Sequence, residues 1–425
     1  MLAVFVLSLI VFVAINIPVG FSLALTSVVL MLYMGNFDFI VIPQNFLSGA
    51  DNFALMAIPF FILAGEFMNE GGLSLGIVKF VKSLLGHVKG GLGYVAIVAS
   101  MIFAGVSGAA VADTSAIGSV LLPLMEQEGY RKDKSTALVC AAGCVGPIIP
   151  PSIPMVVFGV MGGVSITRMF LGGIVPGLIT VILLIFAWFL LTRKEKLLTY
   201  ERATLKEILL STKDAAASLM LPVIILGGIL SGIFTPTEAA VIAAVYAFII
   251  SVFVYRKLNF KQIRDIFVRS ARSTSVVMLV VAAATAIAYI ITIAQIPKLL
   301  GDLLLSTSSN KYVILILINF IILIVGCFMD VSPSILILGP ILLPLVKQLG
   351  VDPVFFGVIM VYGLCIGLIT PPVGNVLYVG CGITKISIVD LIKQIWPLVL
   401  VYIIVLFIIT LIPPLVMFIP DMFFK

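Results

Sequence analysis

Charge is scarce in this sequence. Only 10% of its 425 residues are Asp, Glu, Lys or Arg, whereas a soluble globular domain carries about 25%. So few charged residues cannot cover a surface that faces water, which excludes a soluble domain. The chain is 62% hydrophobic, and apolar stretches of about 20 residues, long enough to cross a bilayer, recur along it. We predict an all-α polytopic membrane protein.

Histidine is also scarce, and the cysteines are not paired in a motif. His87 is the only histidine, and it lies in a basic connecting segment. The five cysteines lie in or beside apolar segments without a Cys-x-x-Cys pair, which argues against a disulfide framework and a zinc site. Catalytic triads that need an intramembrane histidine are excluded. The first apolar stretch starts at Met1 without a basic region or a cleavage site, so we expect a retained helix rather than a signal peptide.

Nine segments have the length and apolar character of full crossings. Two more segments are apolar but interrupted in the middle by small and polar residues, which is typical of a re-entrant hairpin of two short helices. The predicted crossings are 1–33, 53–70, 137–162, 172–192, 215–233, 237–255, 274–296, 354–383 and 395–417, and the predicted hairpins are 91–128 and 312–347.

The basic residues support this topology. Twenty of the 25 Lys and Arg residues fall in five segments that the predicted crossings and hairpins place on one side of the membrane. The positive-inside rule makes that side cytoplasmic, with the N-terminus inside and the C-terminus outside. The five segments are 79–89, 131–134, 193–213, 256–272 and 385–393, and the residues on the other side are Arg168, Lys298, Lys311, Lys347 and Lys425.

Three connecting segments have patterns of their own. Residues 73–90 carry lysines among apolar residues and predict an amphipathic helix on the cytoplasmic face. Residues 193–213 are too charged to insert and predict a surface helix between two halves. Thr235, Pro236 and Glu238 have the spacing of a capping box at a helix start.

The sequence repeats itself at an offset of 221 residues. Leu-Leu-Pro-Leu at 121–124 recurs at 342–345, Pro150-Pro151 recurs as Pro371-Pro372, and further single residues recur in the same register. The charge pattern places the two copies in opposite orientations. Inverted repeats built around broken helices are the architecture of secondary transporters, which bind substrate and ions near the midplane.

Two carboxylates lie at mid-membrane positions, each at a predicted hairpin tip. Asp113 follows a run of small residues at 105–112, and Asp330 precedes Val-Ser-Pro-Ser at 331–334. An intramembrane carboxylate is energetically costly and therefore indicates a functional site. At the repeat offset Asp113 aligns with Ser334, so the two tips are expected to differ.

Each hairpin is followed by a crossing that contains a proline pair. Consecutive prolines remove two backbone donors and leave carbonyls without partners. Free carbonyls in a dry cavity suit a small hard cation, and the N-termini of half-helices suit an anion. We therefore predict two related cation sites with a substrate carboxylate between them. The candidate hydroxyl and amide ligands are Ser107, Ser152, Thr370 and Asn375.

Five stretches together resemble one family. They are AIPFFILAGEFMN at 57–69, FAGVSGAAVADTSAIG at 103–118, GPIIPPSIPM at 146–155, GIFTPTEAA at 232–240 and GLITPPVGN at 367–375. In this order they resemble the large, DctM-like or SiaM-like membrane subunit of tripartite ATP-independent periplasmic (TRAP) transporters, over nearly the whole chain. Where many relatives have a second serine after the hairpin Ser-Gly, this chain has Ala109.

The resemblance implies a sodium-driven elevator transporter in the bacterial inner membrane, with a scaffold around a moving transport domain. It also implies two partners, a small four-helix membrane subunit and a soluble periplasmic substrate-binding protein. The expected substrates are organic acids, chiefly C4-dicarboxylates and sialic acids, and the sequence is similar to the sialic-acid branch. The implied organisation is scaffold helices and arm at 1–90, a first transport repeat at 91–192, a linking helix and scaffold helices at 193–311, and a second repeat with the C-terminal helix at 312–425.

The resemblance also implies binding roles for the residues at matching positions of this sequence. The implied first sodium site is framed by Ser107, Gly146, Pro150 and Pro151, and the second by Asp330, Ser332, Gly367, Thr370, Pro371 and Pro372. Asp113 is expected beside the substrate, so the candidate substrate-binding residues are Ser107, Asp113, Ser152 and Asn375.

Other functions stay open at this point. A stand-alone sodium/carboxylate symporter would need no binding protein. An intramembrane aspartyl protease would need two carboxylates that share a proton, and Asp113 and Asp330 are not symmetric in the repeat. A purely structural membrane partner and a channel are further alternatives, although inverted repeats with broken helices favour alternating access.

Overall fold

The computed structural model describes residues 1–35, 38, 40–195, 197, 199, 201–308 and 310–424, and within them it contains helices and no strands. The first half of the chain forms α1 (Leu2–Ala14), α2 (Val19–Met34), α3 (Val41–Ala50), α4 (Ala57–Glu70, after a 3₁₀ turn at Phe53–Met56), α5 (Leu73–Leu85), α6 (Gly91–Ser107), α7 (Ala110–Gln127), α8 (Lys132–Gly143), α9 (Ile153–Gly162) and α10 (Ile166–Thr192). The second half forms α11 (Leu205–Leu230), α12 (Pro236–Ile249, continued by a π turn at Ile250–Val254), α13 (Phe260–Ile293), α14 (Ile296–Thr307), α15 (Lys311–Gly326), α16 (Val331–Gln348), α17 (Pro353–Gly367), α18 (Asn375–Thr384), α19 (Ile388–Leu411) and α20 (Pro414–Phe423).

Both predicted hairpins and both predicted broken helices are confirmed. Helices α6 and α7 form the first hairpin and α15 and α16 the second. The proline pairs lie in the breaks between α8 and α9 and between α17 and α18, and each pair is joined by a cis peptide bond. Seven helices are long and apolar enough to cross a membrane by themselves.

The prediction of a single crossing at 1–33 is wrong. The segment folds as two helices, α1 and α2, because the chain turns at Asn16, whose φ is 65°. The N–H of Ile17 donates to the carbonyl of Phe12 at 3.1 Å, which closes the end of α1. Asparagine tolerates this left-handed conformation, and Pro18 cannot continue a helix from before it.

Two further boundaries differ from the prediction. The described part of the predicted surface helix at 193–213 is not a separate helix, because the capping box of Thr204 and Glu207 starts α11, which then runs unbroken to Leu230. Lys196, Leu198 and Tyr200 of that segment, and Lys425, lie outside the described residues. The predicted crossing at 395–417 is divided into α19 and α20, since Pro413 and Pro414 offer no backbone donors after Leu411.

The predicted helix starts at 73 and 235 are confirmed. Helix α5 is amphipathic over Leu73–Leu85, with Ile77 and Val81 buried and Lys79 exposed, and it packs between α6 and α11. At Thr235 the backbone N–H donates to Glu238 Oε2 at 2.8 Å, and the N–H of Glu238 donates to Thr235 Oγ1 at 3.3 Å. Both backbone N–H groups, which have no acceptor within the helix, therefore make hydrogen bonds.

The repeat extends beyond the matching residues. Helices α7 and α16 are offset by 221 residues at both ends, and the same offset pairs α6, α8, α9 and α10 with α15, α17, α18 and α19 to within a few residues. It also pairs α5 with α14, a helix that we did not predict. The copies exchange contacts reciprocally: α8 packs on α18 and α19, while α17 packs on α9 and α10. Such exchange is what a two-fold relation between the copies produces.

The remaining helices form a second packed group. Helix α13 lies against α2 and α3, and α4 lies against α12. This group contacts the hairpins and broken helices through α4, α11 and α13.

Candidate functional site

The first hairpin tip touches the first break. Gly108, at the tip, has a φ of 60°, a conformation that favours glycine. A β-carbon there would stand 2.5 Å from the carbonyl oxygen of Pro151. The carbonyl of Pro150 faces Gly105 of α6, 3.8 Å from where a β-carbon would lie. Glycine at 108 therefore lets the hairpin tip close on the proline pair.

Ser107, Asp113 and Gly146 are brought together at this contact. The Ser107 hydroxyl donates to Oδ1 of Asp113, whose side chain is fully buried. Oδ2 of Asp113 has no hydrogen-bond partner among the described residues, and it would overlap a β-carbon on Gly146. A buried carboxylate oxygen without a partner is costly, and a bound cation would offset that cost.

The break also supplies carbonyls. Among the described residues, the carbonyl oxygens of Gly146, Pro150 and Pro151 accept no hydrogen bond. Ser152 is already engaged, because its hydroxyl donates to the carbonyl of Pro147 and accepts the N–H of Met155 at 3.3 Å. Its position is that of the N-cap of α9. The free acceptors of this site are therefore backbone carbonyls and Asp113.

The second hairpin tip touches the second break through backbone. A β-carbon on Gly367 would overlap the carbonyl group of Gly326, and the N–H of Val373 donates to the carbonyl of Cys327 at 3.3 Å. Asp330 is the N-cap of α16, and its Oδ1 accepts the N–H of Val331 at 2.8 Å. Its side chain is exposed, unlike that of Asp113.

The other predicted residues of the second site lie around this contact. The Thr370 hydroxyl donates to the carbonyl of Ile366 at 2.7 Å. Ser332 is half-buried in the first turn of α16 and makes no hydrogen bond to a described residue. Pro371 is half-buried and Pro372 exposed. Asn375 is the first residue of α18, and no side chain caps that helix, in contrast to α9.

Sequence reasoning missed three residues at these contacts. The Thr114 hydroxyl is buried without a partner and lies against Gly143. Gly326 and Cys327 supply the backbone that meets the second break. The repeat was the available signal for Gly326, since it is the partner of Gly105.

The two sites have the composition of oxygen-lined cation sites. Among the described residues, no three His, Cys, Asp or Glu side chains gather as a metal cluster. Asp113 and Asp330 lie at separate tips with separate partners, which contradicts the shared proton of an aspartyl protease dyad. One carboxylate with carbonyls and hydroxyls suits a hard monovalent cation.

Comparison with known proteins adds the family context. The family described as "Tripartite ATP-independent periplasmic transporter, DctM component" matches residues 6–415. The 2,3-diketo-L-gulonate TRAP transporter large permease protein YiaN of Escherichia coli is 43% identical over 95% of both chains. The sialic acid TRAP transporter large permease protein SiaM of Vibrio cholerae is 38% identical, over 96% of this chain and 95% of its own.

Solved structures are similar in fold at low identity. The YdaH transporter of Alcanivorax borkumensis has a TM-score of 0.67 at 15% identity, over 88% of this chain and 87% of its own. MtrF of Neisseria gonorrhoeae has a TM-score of 0.63 at 12% identity, over 92% and 85%. The arrangement of helices is therefore similar to that of these two proteins.

Proposed function

Because this chain belongs to the DctM component family of tripartite ATP-independent periplasmic transporters, we propose that it uses a sodium gradient to move an organic acid across the bacterial inner membrane. It is a TRAP transporter large permease and not an enzyme, since its relatives are permease subunits. Sodium is the co-transported substrate, and the organic acid is carried inward with it.

The observation that carries this proposal is the unpartnered Oδ2 of Asp113 at the first break. It lies against Gly146, and Oδ1 of the same carboxylate accepts the hydroxyl hydrogen of Ser107. A single negative charge among neutral oxygens balances one monovalent cation. We therefore assign Asp113 to the first sodium site, and not only to the neighbourhood of the substrate as the sequence indicated.

The second break offers a place for the substrate anion. The N-terminus of α9 is capped by Ser152, whereas α18 begins at Asn375 without a side-chain cap. An uncapped helix N-terminus attracts a carboxylate through its backbone N–H groups and its dipole. The Asn375 amide is placed to add a hydrogen bond, and Asp330 with the Gly367 and Thr370 backbone would hold the second sodium ion.

The proposed partners follow from the family. They are a small four-helix membrane subunit and a soluble binding protein that delivers the acid from the periplasm. Relatives named for 2,3-diketo-L-gulonate, sialic acid and C4-dicarboxylate delimit the substrate class to organic acids. The chain moves its substrate by alternating exposure of the two hairpin tips, in an elevator-like motion against the α2–α4 and α11–α13 group.

Uptake into proteoliposomes tests the proposal. The full chain is reconstituted with its small subunit, and a labelled organic acid is supplied on its binding protein under an imposed sodium gradient. We expect uptake only with all three components and only with the gradient. Uptake by this chain alone would identify a stand-alone symporter, and uptake that ignores sodium would remove the coupling.

A further inference from the structure

A cavity extends along α16, away from the second hairpin tip. It has a volume of about 570 Å³ and is enclosed by the end of α3, by α9, by α13 and by α16. Pockets for small molecules commonly measure about 300–1,000 Å³. Lys347, at one end of it, is separated from Asp330 by about 25 Å along α16, at 1.5 Å per residue. The Lys347 end of the cavity is therefore distant from Asp330, whereas Leu336, which also lines it, is six residues from Asp330.

One positively charged side chain lines this cavity. Of the residues that line it, all of which the structure describes, Lys347 is the only charged one. Its side chain is exposed and forms no ion pair with a described residue. A free ammonium at the end of a concave site is a point charge that binds one carboxylate.

Two threonine oxygens are hydrogen-bond acceptors on walls that are otherwise mainly apolar. The hydroxyls of Thr285 and Thr292 already donate to the carbonyls of Val281 and Ala288, at 3.1 and 2.8 Å, so their oxygens remain as acceptors. Both threonines line the cavity. A ligand that meets these oxygens must supply donors.

Helix α16 has two carbonyls without a helical donor, in residues that line the cavity. Pro340 and Pro344 interrupt its hydrogen-bond ladder, and both face the cavity together with Leu336. A proline four residues on cannot donate, so the carbonyls of Leu336 and Pro340 have no helical partner. Two side chains of the cavity can donate. Asn52 accepts the N–H of Ala54 at its Oδ1, and its amide N–H₂ and the Ser48 hydroxyl make no hydrogen bond to a described residue.

We infer that this cavity is a second, external binding site for a hydroxylated monocarboxylate, such as a sugar acid. The inference rests on the proposed function, because it concerns the transported anion. Lys347 holds the single carboxylate, and the ligand hydroxyls donate to Thr285, Thr292 and the two freed carbonyls. A C4-dicarboxylate fits poorly, because its second carboxylate would face carbonyl lone pairs without a cation. By the charge pattern Lys347 is on the periplasmic side, where the substrate arrives.

Equilibrium binding to the purified full chain in nanodiscs tests the inference without the binding protein. The probes are gluconate and N-acetylneuraminate as hydroxylated monocarboxylates, hexanoate as a monocarboxylate without hydroxyls, and succinate as a dicarboxylate. We expect at least one hydroxylated acid to bind more tightly than hexanoate and succinate. Equal or tighter binding of succinate would overturn the inference.

Two pairs of variants locate the bound acid. Lys347→Gln should weaken binding by about tenfold or more, the usual loss for a charged hydrogen bond, and Lys347→Arg should restore part of it. Lys298→Gln is the matched control, since Lys298 is exposed but does not line the cavity. Identical binding by Lys347→Gln and the control would place the acid elsewhere and refute the site.

The second pair addresses the freed carbonyls. Pro344→Ala gives the Pro340 carbonyl a helical donor, so binding of the hydroxylated acid should weaken while that of hexanoate stays unchanged. Pro123→Ala is the control, because Pro123 is the repeat equivalent in α7 and lies outside the cavity. Equal losses for both acids would refute the role of the carbonyl. If sodium-driven uptake is intact but Lys347→Gln binds the acid as tightly as the wild type, only this inference is rejected. Absence of uptake by the wild-type complex would instead reject the proposed function.

Discussion

Oδ2 of Asp113 occupies the space in which a β-carbon of Gly146 would lie. Asp113 belongs to the first hairpin and Gly146 to the first broken helix, so the absence of one carbon atom permits the carboxylate to enter the break. The carboxylate oxygen that enters has no other partner among the described residues. This pair of residues is therefore the basis of the first predictions.

Gly146→Ala should abolish sodium-driven uptake. The added methyl group must displace the Asp113 carboxylate, and overpacking at a tight site costs about 1–3 kcal/mol of stability. Uptake and thermal stability are measured together, with Gly227→Ala as the control, because a β-carbon at Gly227 meets nothing within 4 Å. Normal uptake by Gly146→Ala would show that the contact is dispensable.

Asp113→Asn should raise the sodium concentration that gives half-maximal uptake. The amide keeps the size of the carboxylate and the contact with Ser107 but removes the charge that binds a cation. A charged ligand contributes about 1.5–3 kcal/mol, so the shift should be about tenfold or more. Sodium titration of uptake measures it, and an unchanged titration would assign Asp113 a structural role only.

Asp330→Ala should abolish transport and leave the protein folded. Its Oδ1 caps α16 through Val331, and its exposed second oxygen is available to an ion. Loss of an N-cap costs about 1 kcal/mol, which a large protein tolerates. Asp265→Ala, at a half-buried position on α13 where Asp265 pairs with Arg264, is the control for uptake and for size-exclusion behaviour. Near-normal flux through Asp330→Ala would exclude it from the second sodium site.

Gly367→Ala should separate the second hairpin from the second break. A β-carbon there would overlap the backbone carbonyl of Gly326, which cannot rotate away as a side chain could. We expect uptake to be lost, while Gly382→Ala, whose β-carbon meets nothing within 4 Å, transports normally. If both variants transport equally, close contact of this tip and break is not needed.

The N-terminus should face the periplasm. The sequence predicted one crossing at 1–33 and hence a cytoplasmic N-terminus, but α1 and α2 are two helices. If each crosses the membrane, the N-terminus moves to the other side. Antibody access to an N-terminal tag in intact spheroplasts measures this, with a C-terminal tag as the accessible control and a tag after Arg193 as the inaccessible one. Access only after permeabilisation would restore the original prediction.

Helix starts and helix breaks could be predicted from the sequence because they depend on local chemistry, and the repeats could be read from matching residues. Two adjacent prolines break any helix, and the Thr235–Glu238 spacing satisfies the same donors in any surroundings. Errors arose where one residue reversed the chain inside an apolar run. Asn16 turns the chain between two stretches that hydropathy alone cannot separate.

The sequence by itself determined that this is a membrane protein with two internal repeats, each with a hairpin and a proline-broken helix. It also identified Asp113 and Asp330 as the candidate site carboxylates. Only the tertiary structure decided their environments: Asp113 is buried against Gly146, while Asp330 caps a helix at an exposed position. The reason is physical, because contacts between a hairpin and a break that are distant in sequence depend on whether a single β-carbon fits between them. The cavity beside Lys347 is of the same kind, since helices from both halves of the chain enclose it.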